Sequence, residues 1–298
     1  MSEAHAHLQA WSLPLGITCG LVLVALVYLR GWLRLRSVFP NVILGWQVAA
    51  FMSGLSFLWI GVSSPLSALD HDLLTIHMIN HLVLMVVGPP LMLAGVPGLL
   101  LLLGLPAKLG HAVHDLFFGN PPAQRLLRLV THPAFGWLCA TATVIGWHIP
   151  AVFQLAMRSH WWHELEYACF TTAGFLFWWP VVHPMPSVPQ WPRWSMPVYL
   201  FLATLPCDIL SAFLAFCGRV VYPSYLSAPR LFNLSPLQDQ QCAGALMWVA
   251  VTFAYLVPAV VITVQMLSPV RSHSQQPARS ALRDVALSSL NGSRAEVV

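Results

Sequence analysis

The sequence predicts an all-α polytopic membrane protein, a bundle of seven transmembrane helices. Of its 298 residues, 57% are hydrophobic and only 8% are charged, whereas a soluble domain has roughly 25% charged residues. The mean hydropathy is +0.70. The chain also contains seven mostly apolar stretches of about 20 residues, the length that a helix needs to cross the hydrocarbon core of a bilayer.

The seven stretches define the predicted spans in chain order. They lie near residues 11–29, 42–62, 75–95, 134–153, 163–182, 197–217 and 242–267. Residues 1–267 therefore form one predicted membrane domain. Residues 268–298 are polar and weakly patterned, so we expect a disordered cytoplasmic tail.

The distribution of Lys and Arg predicts the orientation of the chain in the membrane. If successive loops alternate between the two sides, eleven of these residues fall on the side of the C-terminus and three on the other. Because positive loops stay in the cytoplasm, the N-terminus should lie outside and the C-terminus inside.

The positive residues form no basic patch with interleaved aromatics, which argues against nucleic acid as a partner and leaves membrane lipids as the surroundings. The six cysteines are scattered singly, which argues against a disulfide framework or a thiolate metal site.

Two histidines stand one helical turn apart at the start of the third predicted span, in the segment HMINH. His77 and His81 share a helix face, with Met78 beside them. Two such imidazoles can bind one metal ion, or each can form its own hydrogen bond to a neighbouring helix. Ionisable groups inside a span are costly and commonly functional, so both are candidate ligands.

Polar residues of the next two spans fall on the same predicted outer side. His148 precedes a proline at the end of span four, where a lone histidine could simply donate to a backbone carbonyl. Span five opens with SHWWHELEY, which places His160, His163 and Glu166 at successive intervals of three residues. A His-x-x-Glu spacing can supply a nitrogen and an oxygen ligand, or the glutamate can orient a ligating imidazole. The convergence of these groups predicts a His-rich site in the outer half of the membrane.

The last two spans add carboxylates. Asp208 lies within the apolar stretch of span six. Its carboxylate could act as a proton relay, as a metal ligand or as a structural hydrogen-bond acceptor, and the sequence leaves these three roles open. Span seven is introduced by SPLQDQQ, in which Asp239 is placed to bind free N–H groups at a helix start. Gln240 shares a face with Gly244, which would permit a close helix approach.

The candidate ligands favour copper. Imidazole nitrogen with methionine sulfur nearby suits Cu(I), while the added carboxylates would also serve zinc or non-haem iron. A bis-His haem is another use of the same histidines, although two imidazoles on one turn suit a single small ion better. The sequence contains neither an HExxH motif nor a nucleophile with an obvious base, which argues against hydrolysis.

Four segments resemble, in order, the blocks of the CtaG-type (caa3-type) cytochrome c oxidase assembly factor family. They are HMINHLVLMVVGPP, WHIPAVFQLAM, HELEYACFTTAGFLFWWP and SPLQDQQCAGALMW, and the resemblance covers roughly residues 40 to 267. It implies a seven-span protein of the bacterial inner membrane that matures haem–copper oxidases by handling copper. It assigns the functional residues to His77, His81, His148, His163, Glu166, Asp239 and Gln240. The family pattern has a histidine where this sequence has Tyr167, which removes one nitrogen ligand here.

The predicted function is therefore a cytochrome c oxidase assembly factor that acts as a metallochaperone and delivers copper to a haem–copper oxidase subunit. The predicted metal ligands are His77, His81, His148, His163 and Glu166. Supporting or capturing residues are predicted to be His71, Met78, His160, Tyr167, Asp208, Asp239 and Gln240. The alternatives are a membrane-embedded redox enzyme that uses copper, iron or haem, and an assembly scaffold without metal.

Overall fold

The computed structural model describes residues 13–39, 43–64, 69–182 and 191–268, and every regular element in these ranges is helical. The predicted all-α class is thereby confirmed. The predicted disordered tail lies, from residue 269 on, outside the described residues. Within them we number the α-helices α1 Leu15–Val38, α2 Gly45–Ser63, α3 Leu74–Leu82, α4 Gly88–Ala94, α5 Pro97–Gly104, α6 Ala107–Phe118, α7 Pro121–Val130, α8 Pro133–Trp147, α9 Pro150–Arg158, α10 His160–Val182, α11 Ser195–Phe216 and α12 Pro236–Leu267.

Several of these helices are suited to crossing a membrane. By length and composition the candidates among the described residues are Leu15–Ser37, Gly45–Ser63, Leu74–Ala94, Ser195–Phe216 and Pro236–Leu267. The helices α7 and α8, bent by 59° at a short break, count as a sixth if they are taken as one span. The predicted fifth span is the 23-residue helix α10, which is not in this set. A multi-pass membrane protein follows, while seven spans and the predicted orientation stay predictions.

Among the helix boundaries that differ from the predicted spans, the end of α8 and the start of α12 have local explanations. The fourth predicted span runs to residue 153, but α8 ends at Trp147 and α9 begins at Pro150. Proline has no N–H to continue a helix and is favoured at the first helical position, so it ends one helix and starts the next. The helix α12 begins six residues before the predicted seventh span, because Ser235 and Gln238 form a capping box there.

Glycines allow the main helix pairs to pack closely. A Cβ on Gly244 would lie 2.8 Å from the carbonyl oxygen of Ser211, so α12 lies directly against α11. A Cβ on Gly31 or on Gly104 would overlap backbone atoms of the partner helix in the α1–α5 pair. Small residues commonly permit such close approaches between helices in membranes.

A π-helical turn, Val83–Val87, separates α3 from α4 and follows His81 closely in the chain. Pro89 cannot donate to the carbonyl oxygen of Met85 four residues earlier, and that oxygen instead accepts a hydrogen bond from Trp178 Nε1 on α10 at 3.1 Å. Gly174 permits the approach, because a Cβ there would lie 2.7 Å from the same oxygen. The π turn therefore joins the third predicted span to α10 next to the polar residues of the site; such turns are frequent at functional sites.

Candidate metal site

The site begins at the start of α3, which is capped from a distant part of the chain. Asp239, in the first turn of α12, accepts hydrogen bonds from the backbone N–H groups of Leu74 (2.6 Å) and Thr75 (3.1 Å). The hydroxyl of Thr75 donates to the same carboxylate at 2.6 Å. The acid also suits the positive end of the helix dipole. The first turn of α12 thus fixes the position of His77, which follows in α3.

His77, His81 and Glu166 form a group that we call the buried group. Oε1 of Glu166 lies 3.5 Å from Nε2 of His77 and 3.3 Å from Nε2 of His81. His77 and Glu166 are fully buried and His81 is 4% exposed. Neither contact counts as a hydrogen bond, and among the described residues no hydrogen-bond partner satisfies the ring nitrogens of the two histidines or either carboxylate oxygen of Glu166.

The walls of the buried group are aromatic. The ring of His81 stacks on Phe170 with centroids 3.8 Å apart, and the ring of His77 meets the edge of Phe153 at 5.0 Å. A carboxylate taken out of water into such surroundings is costly unless a positive charge and hydrogen bonds compensate it. The three side chains therefore direct unsatisfied nitrogen and oxygen atoms towards one another in a place that favours a cation.

A second group, the entrance group, consists of Asp70, His77 and His163. Nε2 of His163 lies 3.2 Å from Oδ2 of Asp70, and the rings of His163 and His77 lie 5.8 Å apart. In each of the two groups, one ligand atom per residue lies within 4.8 Å of the others, a spacing that could hold a metal ion. Because His77 belongs to both groups, they form one continuous set of donors.

Asp70 is held in place by two tyrosines. The hydroxyl of Tyr167 donates to Oδ2 of Asp70 at 2.7 Å and accepts a hydrogen bond from Nδ2 of Asn80 at 3.0 Å. The hydroxyl of Tyr225 donates to the backbone oxygen of Asp70 at 2.8 Å. Tyr167 thus positions an acidic donor of the entrance group.

The charge of Asp70 is stabilised by its histidine neighbours. Burial raises the pKa of the Asp70 carboxyl, but the close contact with His163 and the electrostatic interactions with His163, His77 and His71 outweigh this effect and lower the pKa to about 2. The side chain of His71 is 51% exposed and that of His163 is 12% exposed. The entrance group therefore links the protein surface to the buried group.

His148 lies beside the buried group and contacts sulfur. Its Nδ1 lies 2.6 Å from the carbonyl oxygen of Val144, and its Nε2 lies 3.3 Å from Sδ of Met78. The rings of His148 and His81 have centroids 5.9 Å apart. The backbone oxygen of His148 accepts a hydrogen bond from Tyr222 at 3.1 Å. His148 is thus near the other predicted ligands but belongs to neither of the two groups.

The remaining predicted residues lie away from the donor atoms of the two groups. His160 has a side chain that is 81% exposed and lies 3.9 Å from Glu164. Asp208 is on α11, next to Cys207, and its Oδ1 is buried without a hydrogen-bond partner among the described residues. Gln240 connects α12 to the end of α11 and the following loop, because its amide bonds the backbone of Leu214, Arg219 and Val221.

Sequence reasoning did not select Asp70, Asn80 or Tyr225 as site residues. Asp70 precedes α3 in a turn, where no helical period relates it to His77. Asn80 stands between the two histidines of HMINH, and a polar residue inside a predicted span was the available signal. Tyr225 lies in the short 3₁₀ turn Pro223–Leu226 and reaches Asp70 only through the tertiary fold.

The chain matches a known protein family over most of its length. Residues 26–268 match the model of the cytochrome c oxidase caa3 assembly factor. The chain belongs to this family. The match covers most of the sequence and confirms the resemblance of the four sequence blocks, and it includes both groups of the candidate site.

Relatives of this family member occur in mycobacteria. The chain is 23% identical over 291 residues to an uncharacterized protein of Mycobacterium bovis and to one of Mycobacterium tuberculosis, covering 94% of this chain and 42% of each relative. It is 24% identical over 281 residues to an uncharacterized protein of Mycobacterium leprae, with 88% and 39% covered. The chain thus spans about two fifths of the length of these relatives. No solved structure matches it.

Proposed function

We propose that this family member binds copper in the outer half of the bacterial inner membrane and delivers it to a haem–copper oxidase subunit. The observation that carries the proposal is the buried group, whose imidazole nitrogens and carboxylate oxygens lack hydrogen-bond partners among the described residues. Buried polar atoms are normally satisfied, so a cation is the partner that this arrangement lacks. The family acts in cytochrome c oxidase assembly, which makes an oxidase subunit the natural acceptor.

The donor set suits a site that releases its ion. Two imidazoles and one carboxylate leave coordination positions open, so a ligand of the acceptor could enter. His77 belongs to both groups, and a metal ion could pass from the entrance group to the buried group without losing this ligand. The half-exposed His71 would be the first contact for an incoming ion.

Nitrogen and oxygen donors alone would also serve zinc or iron. Copper is favoured because Met78 places a thioether next to the imidazole of His148, beside the buried group. Thioether ligands select Cu(I) over the harder divalent ions. The predicted orientation, with the N-terminus outside, would put both groups at the extracytoplasmic end of the bundle, where an acceptor domain could reach them.

Metal content of the purified chain tests the proposal. The protein is loaded with Cu(I), freed of excess metal and measured by mass spectrometry together with an absorption spectrum. The test variant is His77→Ala/His81→Ala, and the matched control is His111→Ala/His114→Ala, which changes two histidines of α6. We expect stoichiometric copper in the wild type and the control, and its loss from the test variant.

The other outcomes select the alternatives. A Soret band in the purified protein would replace delivery with a haem redox enzyme. Negligible copper in the wild type, combined with normal oxidase assembly in cells that carry His77→Ala/His81→Ala, would leave a scaffold without metal. Retention of copper by the test variant would move the site away from the buried group.

A further inference from the structure

His148 and Met78 form a contact between two atoms that both lack a proton. Nδ1 of His148 lies 2.6 Å from the carbonyl oxygen of Val144, which can only accept, so Nδ1 carries the proton of a neutral imidazole. Nε2 then presents a lone pair towards Sδ of Met78 at 3.3 Å. A thioether has no proton to donate. This nitrogen and this sulfur therefore face each other as two acceptors.

Both side chains are removed from solvent. Met78 is fully buried and His148 is 5% exposed, so no bulk water separates the two lone pairs. A histidine that ligates a metal almost always donates its other N–H to a carbonyl or carboxylate, which fixes the ring and leaves the ligating nitrogen free. The hydrogen bond to Val144 has this arrangement.

We propose that Nε2 of His148 and Sδ of Met78 form a second metal site, selective for Cu(I) and separate from the buried group. Soft thioether and imidazole donors together favour Cu(I) over zinc or iron. In tetrahedral zinc sites the nitrogen and sulfur ligands lie at about 2.0 and 2.3 Å from the metal, and 3.3 Å between two such atoms corresponds to an angle of about 100° at the ion. The observed separation thus fits two ligands of one ion.

A cavity of about 40 Å³ is lined in part by these two side chains. Its walls include Met78, His81, Met85, His148, Cys207 and Met247. This volume exceeds the roughly 10–15 Å³ that one water needs, so an ion and a small ligand would fit. Three methionines, a thiol and two imidazoles give the cavity a soft-donor lining.

The second site deepens the proposed function and rests on it. His81 contributes to the buried group and also lines the cavity. The donors therefore change from oxygen and nitrogen at the entrance group to nitrogen and sulfur at the cavity. Such a gradient would retain Cu(I) and exclude divalent ions that bind at the entrance.

X-ray absorption at the copper edge tests this site on the full chain loaded with Cu(I). The test variant is Met78→Leu, which keeps the volume and removes the sulfur. The matched control is Met92→Leu, which makes the same change at a buried methionine of α4 that packs against Gly54 and does not line the cavity. We expect sulfur scattering in the wild type and in the Met92→Leu protein, and its loss in the Met78→Leu protein.

The results separate the failure of this site from that of the proposed function. Copper bound through nitrogen and oxygen alone would overturn the second site and leave the buried group in place. Sulfur scattering unchanged in the Met78→Leu protein would also overturn the assignment. No copper in the wild type would overturn both proposals. If the Met78→Leu protein does not fold, X-ray absorption of the selenomethionine-labelled wild type loaded with Cu(I) replaces it. An absence of copper–selenium scattering would exclude a methionine ligand and overturn the second site.

Discussion

The carboxylate of Asp239 accepts the backbone N–H of Leu74 at 2.6 Å, across 165 residues of sequence. This hydrogen bond joins the first turn of α12 to the first turn of α3, just before His77. It therefore contributes both to the stability of the bundle and to the placement of a candidate metal ligand.

We expect Asp239→Asn to lower the free energy of unfolding by about 1–3 kcal/mol, the usual cost of leaving a buried donor without its acceptor. Both carboxylate oxygens of Asp239 accept hydrogen bonds from Leu74 or Thr75. The amide keeps the size of the side chain but replaces one of these oxygens with an NH2 group, which cannot accept. Thermal unfolding in detergent measures the effect. Asp115→Asn is the matched control, because that side chain is 78% exposed. Equal melting temperatures for the two variants would contradict a capping role for Asp239.

Glu166 should be required for metal affinity. Glu166→Gln removes the negative charge between His77 and His81, and we expect the affinity for Cu(I) to fall at least tenfold, since even residues that only orient a ligand cost roughly 10–100-fold. Competition with a Cu(I) chelator gives the affinity.

The neighbouring glutamate offers the control for this experiment. Glu164 lies on the same helix, is 39% exposed and pairs only loosely with His160 at 3.9 Å. Glu164→Gln should therefore leave the affinity for Cu(I) within about twofold, as expected for a weakly coupled surface ion pair. A similar loss in both variants would point to a general effect of charge at this end of the bundle.

Periodicity and polarity predicted several of the candidate donors that the structure groups together, because these donors lie on helices. The spacing of His77 and His81 placed both on one face of α3, and the structure groups them with Glu166. The spacing of His163 and Glu166 also suggested one shared site, but the structure places His163 with Asp70 and Glu166 with the two histidines of α3. A helical repeat fixes a face and not the partner that this face meets.

The features that the sequence did not reveal depend on tertiary contacts or on prolines, which lack the backbone N–H donor that a continuous helix needs. Asp70 joins the site through a turn held by Tyr167 and Tyr225. The segment GPP indicates that the helix is interrupted after His81, because Pro89 cannot donate a hydrogen bond to the carbonyl oxygen of Met85. The sequence does not indicate that Trp178 of α10 donates to this oxygen instead, because that contact depends on the packing of α10. The end of α8 at Trp147 similarly reflects a single proline against a continuous apolar run.

The hydroxyl of Tyr167 should support both stability and metal binding. Tyr167→Phe removes a hydrogen bond to Asp70 and leaves Asn80 without its acceptor, and we expect a loss of about 1–3 kcal/mol in the free energy of unfolding. The Cu(I) affinity should fall as well, because Asp70 loses one of its two fixed contacts. Chemical unfolding and chelator competition measure the two effects.

Tyr28→Phe separates these effects. The hydroxyl of Tyr28 donates to the carbonyl oxygen of Gly95 at 2.8 Å, so its removal also costs a buried hydrogen bond. The ring of Tyr28 stacks on Phe51, which belongs to neither group, so the Tyr28→Phe variant should lose stability while keeping the affinity for Cu(I). A drop in affinity for both tyrosine variants would mean that Tyr167 acts only through the general stability of the bundle.

The contact between α10 and the π turn should not tolerate a methyl group. A Cβ on Gly174 would lie 2.7 Å from the oxygen of Met85 and 2.8 Å from Cγ of Pro89. We expect Gly174→Ala to destabilise the protein by about 1–3 kcal/mol, as overpacking does, and to weaken the hydrogen bond from Trp178. By contrast, Gly146→Ala in α8 places its Cβ where no atom lies within 4 Å, and should stabilise the helix by about 0.5–1 kcal/mol. Thermal unfolding measures the change in melting temperature of each variant relative to the wild type. The two changes should have opposite signs if α10 packs against the π turn, and the same sign if it does not.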